Sequence, residues 1–139
     1  MTAFALHPRL AADASFVIDL ALSRVLLMND SRYPWVILVP RRDGAVELHD
    51  LAQPDRGLLI EEIAHASAVL KMHTGSVKMN IGALGNTVPQ LHVHVVARSI
   101  GDAAWPGPVW GKGEPLAYAP SVRDVLIGRL AELLARPLP

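Results

Sequence analysis

The chain has 139 residues, 51% hydrophobic and 19% charged, which suits one domain spanning 1–139 with a substantial core. Its 13 basic and 13 acidic residues cancel, so no net field favours nucleic acid or an anionic membrane. Cysteine is absent, which excludes disulfides and thiolate metal sites and is compatible with a cytoplasmic protein.

No basic stretch followed by an apolar one opens the chain, and Asp13, Asp19 and Arg24 interrupt the early apolar residues. Neither a signal peptide nor a membrane span is expected. Pro8 can begin a helical turn that reaches Ala14. Ser15–Leu20 and Ser23–Asn29 are short, β-prone runs, read as two strands joined at Ala21-Leu22. A single helix over Leu10–Leu27 is the rival, because Ala and Leu are good helix formers. Asn29–Pro34 is a turn by composition. Trp35–Pro40 is a near-continuous apolar run that suits a buried strand, closed by Arg41–Gly44.

Pro54 starts a helix that runs to about His73. Leu59, Ile63, Ala66 and Leu70 form its apolar stripe, with Glu61, Glu62 and His65 largely off it. Thr74-Gly75 marks its stop. Ser76–Gly82 reads as a strand, followed by a glycine-containing loop to Val88. Gln90–Val95 alternates strictly, with Gln90, His92 and His94 at one parity and Leu91, Val93 and Val95 at the other. That is the period of a strand with one apolar face and one polar face. Residues 101–120 are rich in Gly and Pro and hold Trp105 and Trp110, so an ordered loop is expected. Ser121–Asp124 resembles a capping box that opens a last helix to about Ala135, with Val122, Leu126, Leu130 and Leu133 as its stripe. The expected fold is α+β, with an antiparallel sheet of about five strands, one long helix and a C-terminal helix.

Residues two apart on a strand face sit roughly 6.5–7 Å apart. A phosphate group fits between two imidazoles at that spacing. The 82–88 loop brings backbone N–H groups and the Thr87 hydroxyl to the same neighbourhood. One neutral His as nucleophile, a second as donor and amides for anionic oxygens suit a phosphorylated ligand. Two other readings stand beside it. His92 and His94 could chelate a metal, with His49, His73 or Asp43 as loose third ligands. Or the histidines finish a solvated strand face.

The stretch Asn86-Thr-Val-Pro-Gln90-Leu-His92-Val-His94-Val-Val96 resembles the signature of the histidine triad (HIT) superfamily of nucleotide hydrolases and transferases. Leu27–Asn29, Pro34–Pro40, Leu48–Leu51 and Lys78–Gly82 extend the resemblance, which covers roughly residues 23–98. It implies that His92 attacks the α-phosphorus and carries a covalent nucleotidyl group, with its other ring nitrogen donating to a backbone carbonyl. His94 would bond a phosphate oxygen, Asn80 and Thr87 the phosphate or leaving group, and Asn29 the ribose. It also implies a small-molecule nucleotide substrate and a homodimer, with no nucleic acid partner. No cofactor is required, although magnesium can accompany a polyphosphate.

Two positions depart from the pattern. Gln90 stands where the first triad histidine is expected and can donate a hydrogen bond but carry no charge. Val36 stands where many members have a further histidine. If the two strands are adjacent, both would line one neighbourhood. These departures keep open a second function, a nucleotide-binding module with little turnover. Elsewhere Trp35 is read as core or dimer surface and His65 and His73 as solvated, while Trp105 and Trp110 are read as packing on the domain's own core, with an aromatic wall beside the ligand or a reach to a partner subunit as the alternative. His49 is read as structural at the helix entrance. Lys112, between Gly111 and Gly113, lacks the helix and glycine spacing of a phosphate loop.

Overall fold

The computed structural model describes residues 3–137. Its elements are α1 (Pro8–Asp13), β1 (Ala14–Asp19), β2 (Ser23–Met28), β3 (Trp35–Pro40), α2 (Gln53–Thr74), β4 (Lys78–Gly82), β5 (Val93–Arg98) and α3 (Pro120–Leu134). A single 3-10 turn, Leu48–Asp50, leads into α2. The five strands form one sheet in the order β1-β2-β3-β5-β4, every neighbouring pair antiparallel. This is the expected α+β architecture, and residues 14–28 form two strands rather than the rival helix. Leu20 N donates to Ser23 O to close the hairpin between them.

The sheet has two unlike faces. Val25, Leu27, Val36, Leu38, Val93 and Val95 point towards α2 and α3 and pack with Leu59, Ile63, Ala66, Leu70 and Leu130. Each such Val, Leu or Ile side chain contributes roughly 1.5–3 kcal/mol when fully buried. On the other face Leu26, Trp35, Ile37 and Val96 pack with Leu10 of α1 and with Ala104 and Val109 of the long loop. The helices thus cover most of one face, although Ile81, opposite Val95, stays 50% exposed. The other is covered only by α1 and loops, which leaves room for a site.

Helix α2 ends at Thr74, where Gly75 adopts φ 67° and its N–H bonds Lys71 O. That left-handed geometry suits glycine, which has no Cβ to clash. Glu62 departs from expectation: it is 6% exposed, and its carboxylate accepts from the N–H groups of Leu22 and Ser23 at 2.8 and 2.9 Å. It turns inward because the tight β1–β2 link leaves two buried N–H groups in need of an acceptor. Glu62→Gln keeps one oxygen and sets an NH2 group against the other donor. It is expected to cost about 1.5–3 kcal/mol in urea unfolding. His65 is not freely solvated either: its Nε2 lies 2.9 Å from Leu134 O and ties α2 to the end of α3.

Two readings at α3 are corrected. Pro120 occupies its first position, and the cap residue Ala119 makes no side-chain bond, so the Ser121–Asp124 box does not form. Proline's fixed φ and missing N–H suit the first turn and move the start one residue earlier. Val122 is 57% exposed, and the buried residues are Leu130 and Leu134. Strand β5 begins at Val93, so Gln90 and His92 stand in the extended segment just before it. There Leu91 N donates to Ala45 O.

Candidate active site

Strand β5 alternates, so Val93, Val95 and Ala97 serve the helix-side core while His94 and Arg98 face the other way. His94 sits opposite Ile37 of β3 and Gly82 of β4. His92 lies beside it, with ring centroids 4.9 Å apart. Both histidines are buried, at 7% and 6% exposure. Of the polar face expected from the alternation, the structure brings together His92 and His94 but not Gln90.

The partners of the two rings define their tautomers. His92 Nδ1 is 2.7 Å from Gln90 O. A carbonyl only accepts, so Nδ1 carries the proton and Nε2 keeps a free lone pair. Trp35 Nε1 lies 3.0 Å from His94 Nδ1. An indole N–H only donates, so Nδ1 accepts and the proton sits on Nε2. One ring therefore presents a nucleophilic nitrogen and its neighbour presents an N–H donor.

Burial pushes the His94 imidazole down to about 4, and the charge of nearby His92 adds to the shift. The unfolded chain binds this proton from about pH 6.5 downwards and the folded chain only near 4. The contribution to stability is complete above 6.5 and disappears as pH falls to 4. Acid titration of unfolding free energy is expected to show a loss of about 3 kcal/mol across that window, absent in His94→Gln.

Trp35 is a core residue, as read, and its contact with His94 is what sequence reasoning missed. Its ring meets His94 at 5.6 Å and Trp110 at 6.3 Å, and Trp110 meets His94 at 5.5 Å. These edge-on contacts box the imidazole. Gly82 makes the approach of Trp110 feasible: a Cβ there would lie 3.0 Å from Trp110 Cη2. Trp110 thus joins the site wall, while Trp105 stacks over Arg98 at 5.6 Å. Trp35→Phe removes the donor to His94. Steady-state kinetics are expected to show kcat lower by roughly fivefold, since a neutral hydrogen bond is worth about 1 kcal/mol.

A cavity of about 800 Å³ opens over the histidines. Its walls include Leu10 and Asp13 of α1, Asn29, Trp35, the 84–88 loop with Thr87, and residues 109–115. Asn29 accepts from Tyr118 N at 2.9 Å through Oδ1, which leaves its amide NH2 for a ligand. Asn80 does not line this cavity. Its Oδ1 accepts from Arg98 Nη1 at 2.8 Å, because the register sets it beside Val96 at the Arg98 end of β5.

Gln90 is also placed differently from expectation. Its Oε1 accepts from His7 N at 2.8 Å and its Nε2 donates to Ala5 O at 2.9 Å. The amide bonds the N-terminal segment as a neighbouring peptide group would, so both its ends are committed away from the 800 Å³ cavity. Val36 is corrected too. It pairs with Val95, is 1% exposed and packs under α2, so it cannot line the site although β3 and β5 are adjacent. The β3 residues that face the cavity are Trp35 and Ile37.

The loop after β5 is held by charge. Arg98 and Asp102 form a 2.8 Å ion pair at 1% and 9% side-chain exposure. Arg32 pairs with Asp30 at 2.8 Å and donates to Lys112 O at 2.7 Å. Asp30 also accepts from Leu116 N. Among the described residues no group of three or more histidine or acidic side chains is placed to hold a metal. His49 lies on the 3-10 turn, lining a smaller hollow of about 260 Å³ with Gln90 and His92. Asp50 caps that turn by accepting from Val46 N and Glu47 N. Among the described residues no helix is long and apolar enough to cross a membrane.

The family model for the HIT domain matches residues 9–100. A histidine triad protein from Bradyrhizobium japonicum is 48% identical, with 96% of this chain and 99% of that chain covered at TM-score 0.93. One from Marinobacter aquaeolei VT8 is 45% identical, covering 96% and 98% at TM-score 0.94. One from Sinorhizobium meliloti 1021 is 45% identical, covering 93% and 96% at TM-score 0.91. No curated protein matches the chain.

Proposed function

The chain belongs to the HIT domain family, and on that premise we propose that it is a nucleotide hydrolase or nucleotidyl transferase working through His92. The substrate is a dinucleoside polyphosphate, a nucleoside phosphoramidate or a similar conjugate. The observation that carries this reading is the opposed pair of tautomers: a free Nε2 on His92 beside an N–H on His94. His92 Nε2 attacks the α-phosphorus, and its Nδ1–H, bonded to Gln90 O, shares the positive charge that develops on the ring. His94 donates to a phosphate oxygen, in a walled environment where such a bond gains strength. A cavity of about 800 Å³ is of a size to take a nucleotide. Asn29 contacts the ribose and Thr87 the phosphate. Water, or another acceptor, then takes the nucleotidyl group from His92.

This chemistry requires no cofactor, and magnesium can accompany a polyphosphate. We place the protein in the cytoplasm as a homodimer, and the unpaired outer edge of β4 offers a surface for a second copy. The alternative is a binding module with negligible turnover, favoured by the engagement of Gln90 with Ala5 and His7. Incubation with a labelled dinucleoside polyphosphate and with adenosine 5′-phosphoramidate separates the two. Release of mononucleotide supports the enzyme, and saturable binding without release supports the module.

A further inference from the structure

We infer that Gln90 is a positioning residue whose side-chain amide, clamped on the backbone of the N-terminal segment, fixes the carbonyl that holds His92 in its nucleophilic tautomer, so that a histidine at this position lowers the rate. This rests on the nucleotidyl-transfer reading above and assigns a role to a side chain that lies outside the cavity.

The carbonyl that sets the tautomer of His92 is not held by the sheet. Residues 83–92 lie between β4 and β5 and belong to no strand or helix. Gln90 O nevertheless sits 2.7 Å from His92 Nδ1. The ring follows this oxygen, because the hydrogen bond at one imidazole nitrogen decides which nitrogen keeps the lone pair. Two anchors fix the peptide. On one side Leu91 N donates to Ala45 O at 2.9 Å. On the other, the Gln90 amide accepts from His7 N at 2.8 Å and donates to Ala5 O at 2.9 Å.

The clamp is firm because the segment it grips is itself fixed to the sheet. Phe4 and Leu6 pack against the site-side core cluster, and the Arg24 guanidinium lies 5.5 Å from the centre of the Phe4 ring. Farther along, Leu10 is buried and Asp13 O accepts from Asn29 N at 3.0 Å. Residues 4–13 thus brace His92 through Gln90 at one end and Asn29 at the other. Glutamine suits the position and histidine does not. A primary amide presents its oxygen and one N–H side by side, which matches the C=O of Ala5 and the N–H of His7. The two nitrogens of an imidazole point apart, so a histidine can meet only one of these backbone groups.

The test compares Gln90→Leu, Gln90→His, His7→Pro and the double variant Gln90→Leu/His7→Pro with wild type. His7 has φ −55° and ψ 135°, so proline fits there and lacks the N–H. His7→Ala, which keeps that N–H, is its reference. Nitrogen NMR of the labelled free protein in weakly alkaline buffer reads the His92 tautomer, and turnover of a dinucleoside polyphosphate gives kcat and KM. The expected results are a single Nδ1–H tautomer in wild type and a mixture of both tautomers in Gln90→Leu. In Gln90→Leu and Gln90→His kcat should fall by on the order of 10- to 100-fold, the effect of a small misplacement of a reacting group. KM should stay within about threefold, since Asn29 and the cavity walls are untouched. His7→Pro should be slower than His7→Ala, and adding it to Gln90→Leu should change little, because both remove the same clamp. A Gln90→His variant faster than wild type would overturn the inference while leaving nucleotidyl transfer intact. So would fully additive effects of Gln90→Leu and His7→Pro. So would a purely structural Gln90, whose loss shifts urea unfolding but leaves the tautomer and kcat of the folded protein unchanged. A tautomer that shifts as expected in a protein that turns over no nucleotide would support the clamp and overturn the transfer reading.

Discussion

His92→Ala is expected to lower kcat by on the order of 10⁴-fold or more while nucleotide still binds. The variant deletes the only ring nitrogen in the site with a free lone pair next to an N–H donor. His94 cannot take over, because its Nδ1 is occupied by Trp35 and its Nε2 carries the proton. Asn29, Thr87 and the walls of the cavity remain, so affinity for a mononucleotide should change by less than about tenfold. Kinetics and calorimetric titration of the same preparation check both halves. A variant that keeps a tenth of the activity would remove His92 from the mechanism.

The second large effect concerns stability. Arg98 is 1% exposed, pairs with Asp102, donates to Asn80 Oδ1 and lies over the rings of Tyr33 and Trp105. Arg98→Met leaves the Asp102 carboxylate without its counter-charge at the root of the long loop. The expected loss is about 3–5 kcal/mol, the usual result of removing one partner from a buried pair. Arg98→Met combined with Asp102→Leu should recover part of it, since the stranded charge is gone. Hydrogen bonds from Arg98 hold the Asp102 carboxyl down to about 2. Its contribution is complete above the unfolded value of 3.8 and is lost as pH falls towards 2. Urea unfolding of wild type should therefore weaken by about 2–3 kcal/mol across that interval, and the double variant should lack this step.

Much of the fold was legible because it rests on local patterns. The stripe of Leu59, Ile63, Ala66 and Leu70, bounded by Pro54 and Gly75, describes α2 closely. The alternation around His92 and His94 announced a polar strand face, and both rings are together on it. What stayed hidden depends on partners far away in the chain. Gln90 is bonded to residues 83 and 85 positions earlier, and no spacing rule reports that. Glu62 fell outside the apolar stripe, but the demand for a buried acceptor arises 40 residues away, at Leu22.

Trp35 was obscured for another reason. Strand β3 is apolar on both faces, so periodicity carries no information about which side chains meet the site. Only the pairing of Trp35 with Val96 and Val36 with Val95 distinguishes them. That register makes Val36 a core residue and Trp35 the partner of His94. A lone tryptophan in an apolar run is usually read as packing. The polar use of its N–H appears only when the histidine opposite is seen.

The measurement that bears most directly on the central claim is a rapid-quench experiment at neutral pH. Enzyme and dinucleoside polyphosphate are mixed for a fraction of one turnover, denatured in base and digested for mass analysis. The predicted result is one nucleotidyl group on the peptide containing His92, released on acid treatment and absent from His92→Ala. Product formed at the wild-type rate with no nucleotide on that peptide at any time would contradict it.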